Sequence, residues 1–218
     1  MVIIGTAPSL ERAVAATGTP YFIATGTSQF AIGRDKPGTS CCIGSASGGN
    51  GSALPAVLGR LRERKVRSLV QIGIRQKDLL DAEALRGACE SYDEWVGCPR
   101  LLKHLTQEEV VRTAYDFFRE RYRTKADLPD AFLFTDDYLA HGALTALLGA
   151  GIRTGRDVLV ITVANKGARP LIFDPIDLIL CDPVRDADTI ADALIAYLGS
   201  GVAPGTIALE NAFVAGSF

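Results

Sequence analysis

The sequence has no long apolar run and no surplus of either charge. Its mostly apolar stretches, such as residues 158–164, are far shorter than the ~20 residues that a membrane-spanning helix needs. Its 23 lysines and arginines against 25 aspartates and glutamates give a net charge of −2. This balance predicts no basic surface for a phosphate backbone. We therefore expect no membrane partner, and no DNA binding by this chain alone.

The residue types that bind metal ions are few and scattered. The five cysteines are odd in number and form no Cys-x-x-Cys pair, and the two histidines, His104 and His141, lie far apart. This pattern is typical of reduced thiols and predicts neither a zinc site nor a cofactor. The first residues also lack a basic segment followed by an apolar one, so no export signal is expected. The predicted location is the cytoplasm.

Short apolar runs alternate along the chain with segments of helical periodicity. The pattern predicts strands at 2–4, 21–24, 68–72, 131–134, 158–163 and 177–181, and helices at 52–64, 79–92, 136–150 and 188–198. A further helix begins after Thr106, which forms a capping box with Glu109. The tail from residue 206 predicts one or two late strands. Such alternation is typical of an α/β protein with parallel sheets flanked by helices.

Ligands of open parallel sheets bind beyond the carboxyl ends of the strands, so function is sought in the residues that follow each strand. Asp136 and Asp137 follow a strongly apolar strand and open a helix. An aspartate there commonly caps the helix, and we assign that role to Asp137, which leaves Asp136 to face a ligand. Asn165, after the next strand, suits a polyol because an amide both donates and accepts, although turn formation explains it equally well.

The glycine-rich segment at residues 44–51 precedes a predicted helix and has some features of a phosphate-binding loop. It matches neither phosphate-binding motif, and no lysine stands at the helix start. We predict a flexible loop there.

The middle of the chain carries a series of motifs with a recognisable order. They are Pro-Asp-Ala at 129–131, Asp-Asp-Tyr-Leu-Ala-His-Gly-Ala at 136–143, Gly-Ile at 151–152 and Asp-Val-Leu-Val-Ile at 157–161. This series resembles the effector domain of the LacI/GalR family of bacterial transcription regulators. Weaker similarity extends upstream to Thr19 and downstream to Gly201.

The resemblance implies a two-lobed, periplasmic-binding-protein-like (type I) fold with an incomplete N-terminal lobe. That lobe would hold residues 1–39 and 171–200, and the C-terminal lobe residues 40–170 and 201–218. The family places a DNA-binding headpiece and further β-α units before the point that matches Val2. The implied protein is a homodimer that binds a small effector, such as a sugar or polyol, in the cleft between the lobes. DNA would be bound only through a headpiece absent from this chain.

The resemblance also maps the ligand positions. Asp136 matches an asparagine of the family's cleft, Asn165 lies near a paired aspartate, and Thr25 stands where the family commonly has Asp or Arg. The arginine that often clamps sugar hydroxyls maps to Ala84, with Arg75 close by. The predicted ligand residues are therefore Thr25, Arg75, Asp136 and Asn165.

Two other functions remain open at this stage. A sugar-binding protein of an ABC-type transporter would share the fold. A small α/β enzyme would use the paired carboxylates Asp136 and Asp137 for acid–base work or for a divalent metal ion. The sequence offers no obvious nucleophile with a base at hand, so we expect no enzyme.

Overall fold

The computed structural model describes residues 2–4, 13–14, 16–25, 42–48, 50–76, 79–97, 106–167 and 175–216. The chain divides into two compact units. One comprises Met1–Gly49 and Asp182–Asn211, and the other comprises Asn50–Cys181 and Ala212–Phe218. Each has its own sheet, which confirms the expected α/β class with largely parallel sheets.

In chain order the elements are β1 (Val2–Ile4), β2 (Tyr21–Thr25), β3 (Cys42–Gly48), α1 (Leu54–Glu63), β4 (Ser68–Gly73), α2 (Ala82–Arg86), β5 (Ser91–Val96), α3 (Gln107–Arg121), β6 (Ala131–Phe134), α4 (Asp137–Gly149), β7 (Leu159–Asn165), β8 (Asp177–Cys181), α5 (Pro183–Ser200), β9 (Gly205–Leu209) and β10 (Ala212–Val214). Short 3₁₀ turns lie at Asn50–Ala53 and Lys125–Asp127.

The first unit is a four-stranded parallel sheet in the order β1-β2-β3-β9. Helix α5 packs Ile190 and Leu194 against a buried cluster of Phe22, Ala46 and Leu209. The flexible loop predicted at residues 44–51 is wrong for Gly44–Gly48, which belong to β3. The strands β2 and β9 pair with it on either side, and this tertiary pairing keeps the segment extended. Residues 26–41 lie outside the described part of the chain.

The second unit is a six-stranded sheet in the order β10-β8-β7-β6-β4-β5. Its strands are parallel except that β10 runs antiparallel to β8. The strand β6 is buried along its whole length. The apolar run at residues 158–163 predicts a strand covered on both faces, and β7 is buried from Leu159 to Thr162, with Val163 half-buried. Helices α3 and α4 cover one face around Phe118, Phe132 and Phe134. Helix α1 covers the other around Leu61 and Leu133.

The boundaries of the two units differ from those predicted for the two lobes. The predicted boundaries assign residues 42–48 and 205–209 to the second lobe, whereas β3 and β9 pair with each other in the first unit. They assign residues 177–181 to the first lobe, whereas β8 pairs with β7 in the second unit. Hydrogen-bond register therefore sets the boundaries close to residues 49, 181 and 211.

A buried ion pair ties α1 to the start of β8. The Nε and Nη2 atoms of Arg60 donate to the two carboxylate oxygens of Asp177, at 2.7 and 3.2 Å. Asp177 is fully buried and also accepts the backbone N–H of Gly216 at 2.7 Å. The hydrogen bond to Asp177 raises the pKa of Arg60 above its ordinary value although burial opposes it. Arg60 therefore stays charged inside the unit, with its charge compensated.

Candidate functional site

The strands β4, β6 and β7 end side by side, because they are parallel neighbours. In register, Ile72 lies opposite Phe134, and Phe134 lies opposite Thr162. The residues that follow these strands therefore share one end of the six-stranded sheet. We call this end, formed by residues 73–75, 135–137 and 165–167, the carboxyl edge.

The carboxyl edge brings together three of the four predicted ligand residues. Arg75 and Asp136 are half-buried there, and Asn165, the last residue of β7, is exposed. Thr25 ends β2, where it pairs with Ser47 of β3 in the sheet of the first unit. The carboxyl edge therefore contains a guanidinium, a carboxylate and an amide, while Thr25 belongs to a separate sheet.

The ends of β4 and β6 are held close together beneath these side chains. The backbone N–H of Thr135 donates to the carbonyl of Ile72 at 2.9 Å, and its hydroxyl donates to the same oxygen at 3.3 Å. A Cβ atom on Gly73 would lie 2.7 Å from Leu79 Cδ2 and 2.8 Å from Thr135 Oγ1. Glycine is therefore required where β4 reaches the carboxyl edge. Both residues lie in strand-end segments to which the sequence assigns function, but neither is among the predicted ligand residues.

Asp136, not Asp137, is the N-cap of α4. Its Oδ1 accepts the backbone N–H of Leu139 at 2.9 Å, and its extended backbone is that of a capping residue. Asp137 is the first helical residue, where the positive end of the helix dipole stabilises its negative charge. The predicted assignment of the cap to Asp137 is therefore wrong by one residue. Asp136 has a structural role, and a ligand role for it has to coexist with that hydrogen bond.

The neighbourhood of Asn165 is set by β8. Asn165 lies opposite Cys181 in register, and the N–H of Lys166 donates to the carbonyl of Cys181 at 2.8 Å. The chain then turns through Gly167, whose φ of +90° lies in the left-handed region. Asn165 therefore stands directly before a turn, as the sequence predicts, and its amide is also exposed.

The carboxyl edge offers both hydrogen-bond donors and acceptors. Carboxylate oxygens accept, guanidinium N–H groups donate, and an amide does both, which is the set that sugar hydroxyls need. Among the residues that the structure describes, no group of three or more His, Cys, Asp and Glu side chains could hold a metal ion. Within the same residues, no helix has the length and apolar character to cross a membrane.

Two largely parallel sheets flanked by helices, with polar residues at the strand ends, are the architecture of a periplasmic-binding-protein-like fold. The family model described as "periplasmic binding protein-like domain" matches residues 58–216, and the chain belongs to this family. The expected fold is thereby confirmed.

Individual relatives are regulators of transcription. The chain is 31% identical over 72 residues to the HTH-type transcriptional regulator GalR of Streptococcus thermophilus. This match covers 33% of the chain and 22% of the length of that relative.

Solved structures share the fold at low identity. A LacI family transcriptional regulator from Arthrobacter sp. FB24, in complex with lactose, superposes with a TM-score of 0.67 at 19% identity, covering 99% of this chain and 76% of the other. A LacI family transcriptional regulator from Enterococcus faecalis V583, with bound ribose, gives a TM-score of 0.67 at 12% identity over the same shares.

Proposed function

We propose that this chain is the effector-binding domain of a LacI/GalR-type transcriptional regulator and that its effector is a sugar or polyol. The membership in the periplasmic binding protein-like family supports ligand binding. The similarity to the GalR regulator supports a role in transcription. Lactose and ribose in the complexes of two structural neighbours support the sugar class. The regulator would act in the cytoplasm as a homodimer and bind DNA through a separate headpiece.

The carboxyl edge is the observation that carries the proposal for the ligand. Arg75, Asp136 and Asn165 lie at the carboxyl ends of three adjacent parallel strands, so their polar groups share one end of the sheet. Vicinal hydroxyls bind well to such paired donors and acceptors, and a binding site that loses one partner leaves a buried polar group unpaired at a cost of ~1–3 kcal/mol. Thr25, in the sheet of the first unit, stays a prediction from the sequence alone.

The carboxyl edge favours binding over catalysis. Asp136 accepts the capping hydrogen bond from Leu139, so one carboxylate of the Asp136–Asp137 pair is already engaged in the helix start. The named relatives are regulators rather than enzymes. We therefore propose a sensing role without turnover.

A thermal-shift screen tests the sugar class. Lactose, ribose and a panel of other mono- and disaccharides and polyols are added to the chain in increasing concentration. A ligand at 100 times its Kd stabilises the folded state by ~2.7 kcal/mol, which raises Tm by about 5–10 °C for a chain of this size. We expect a saturable shift with at least one of them. Shifts that only rise linearly, as for a general osmolyte, would contradict the proposal.

A sugar-binding protein of a transporter is the competing function, because the family description fits it equally well. The screen does not separate the two functions, but the coding sequence upstream in the same reading frame does. We expect it to encode a helix-turn-helix. An export signal in that place would favour the transporter instead.

A further inference from the structure

The sheet face that α1 covers is mostly apolar, but it carries polar side chains at β4 and β5. Strands β4 and β5 are parallel neighbours, and Gln71 lies opposite Glu94 in register, as Leu69 lies opposite Tyr92. Side chains two residues apart on a strand share a face, so Gln71, Tyr92 and Glu94 lie on the same side of the sheet. Gln76, which follows β4, and Arg86, at the end of α2, both contact Glu94 on this side.

Glu94 binds both ends of that connection. Its Oε2 accepts from Gln76 Nε2 at 2.5 Å, and its Oε1 accepts from Arg86 Nη2 at 3.4 Å. Gln76 directly follows Arg75, and Arg86 is the last residue of α2. The Glu94 side chain is 19% exposed, whereas that of Arg86 is 62% exposed. The largely buried carboxylate of Glu94 on β5 therefore binds both Gln76, just after the carboxyl edge, and the last residue of α2.

Tyr92 extends the contacts of Glu94 into the sheet. Its hydroxyl donates to Gln71 Oε1 at 2.5 Å, and the guanidinium of Arg86 lies 5.2 Å from the centre of its ring. Burial, and next the carboxylate of Glu94, raise the pKa of Tyr92 well above its ordinary value, so the hydroxyl stays protonated and donates. Gln71 is fully buried, and its Nε2 has no hydrogen-bond partner among the described residues.

A buried polar network of this kind has a cost in an otherwise apolar sheet. An amide donor without a partner destabilises the fold, and leucine or valine would fill the same position on β4 without that cost. The hydrogen bonds that such a network does make hold its side chains in one geometry. The geometry fixed here is that of the connection between β4 and α2.

We propose that Glu94 is a positioning residue of the effector site: it binds Gln76 and Arg86 and so holds Arg75 at the carboxyl edge. This inference rests on the proposed function, because Arg75 matters only if the carboxyl edge binds the effector. A side chain that is already ordered loses less entropy when the ligand binds, and this preorganisation is what Glu94 supplies.

The variant Glu94→Ala tests the inference with two readouts. Without sugar, hydrogen–deuterium exchange should become faster in peptides spanning residues 74–86 and stay unchanged in β6 and β7. With the sugar that gives the largest thermal shift, Kd should rise about 3- to 10-fold, the range expected when one side chain must be ordered on binding. Glu94→Gln should lie between wild type and Glu94→Ala, since its carbonyl still accepts from Gln76.

Glu90→Ala is the matched control, because it removes an exposed carboxylate just before the same strand. It should change neither readout. Unchanged exchange in Glu94→Ala would overturn the inference, and so would faster exchange with an unchanged Kd. If no sugar binds the wild-type chain, the proposed function fails and the positioning role fails with it. The exchange data would still show whether Glu94 holds the connection.

Discussion

Asp177→Ala should lower the free energy of unfolding by about 3–5 kcal/mol. The substitution leaves the guanidinium of Arg60 buried without its carboxylate, and the Arg60 side chain is only 9% exposed. It also removes the acceptor of the Gly216 N–H, which fastens the end of the chain next to β8. Domains of this kind unfold with a total of about 5–15 kcal/mol, so a loss of this size should show in urea denaturation as a clearly lower midpoint.

Glu63→Ala is the control for Asp177→Ala. Glu63 also accepts from Arg60, at 3.0 Å, but its side chain is 66% exposed. Solvent screens such a pair, so its removal should cost less than about 1 kcal/mol. A double variant with Met at position 60 and Leu at position 177 should recover most of the loss, because it removes both buried charges. If Asp177→Ala unfolds within 1 kcal/mol of wild type, the ion pair does not hold α1 on the sheet.

Gly142→Ala should destabilise the second unit by about 1–3 kcal/mol, even though alanine is the better helix former by ~1 kcal/mol. Helices α3 and α4 approach most closely at Gly142. A Cβ there would lie 2.1 Å from the carbonyl oxygen of Val111 and 3.0 Å from Ala114 Cβ. The backbone of α3 has to move away to admit it. Trp95 stacks on Phe117 of α3 with ring centres 4.2 Å apart, so its fluorescence should change as well.

Gly149→Ala is the matched substitution on the same helix. Nothing lies within 4 Å of the Cβ that it would add, so alanine should be neutral or stabilising by up to ~1 kcal/mol. Opposite signs for the two variants in urea denaturation would confirm that close packing acts at Gly142. Equal effects would mean that α3 and α4 are not in close contact there.

The sequence predicted those elements whose local pattern and tertiary environment agree. Strand β6 is apolar on both faces and buried on both, and α3 begins with the capping box of Thr106 and Glu109 that the sequence contains. The sequence did not predict β5. The helical periodicity of residues 79–92 predicted one helix that included the start of β5, whereas only Ala82–Arg86 forms a helix. Pairing of β5 with β4 is a tertiary effect that overrides this local preference.

In the candidate site, too, some features could be predicted from the local sequence and others could not. The placement of Arg75, Asp136 and Asn165 near the ends of adjacent strands could be predicted, because a strand ends close to the point where its apolar run stops. The choice between Asp136 and Asp137 as the cap could not, since it depends on where α4 begins to within one residue. Contacts between residues far apart in the sequence, such as that of Arg60 with Asp177, cannot be predicted from a single sequence.

The central claim is that the carboxyl edge binds a sugar or polyol, and Asp136→Ser tests it without removing the helix cap. Serine caps a helix about as well as aspartate, so α4 and the free energy of unfolding should be nearly unchanged. The substitution does remove a carboxylate that we expect to accept from ligand hydroxyls.

The decisive measurement is calorimetric titration of wild type, Asp136→Ser and Asp137→Ser with the sugar or polyol that gives the largest saturable thermal shift. We expect Asp136→Ser to bind ~10–100-fold more weakly than wild type, the range that corresponds to an unpaired polar group, and Asp137→Ser to bind as wild type does. Binding of Asp136→Ser with the affinity of wild type would contradict the account and would move the ligand away from the carboxyl edge.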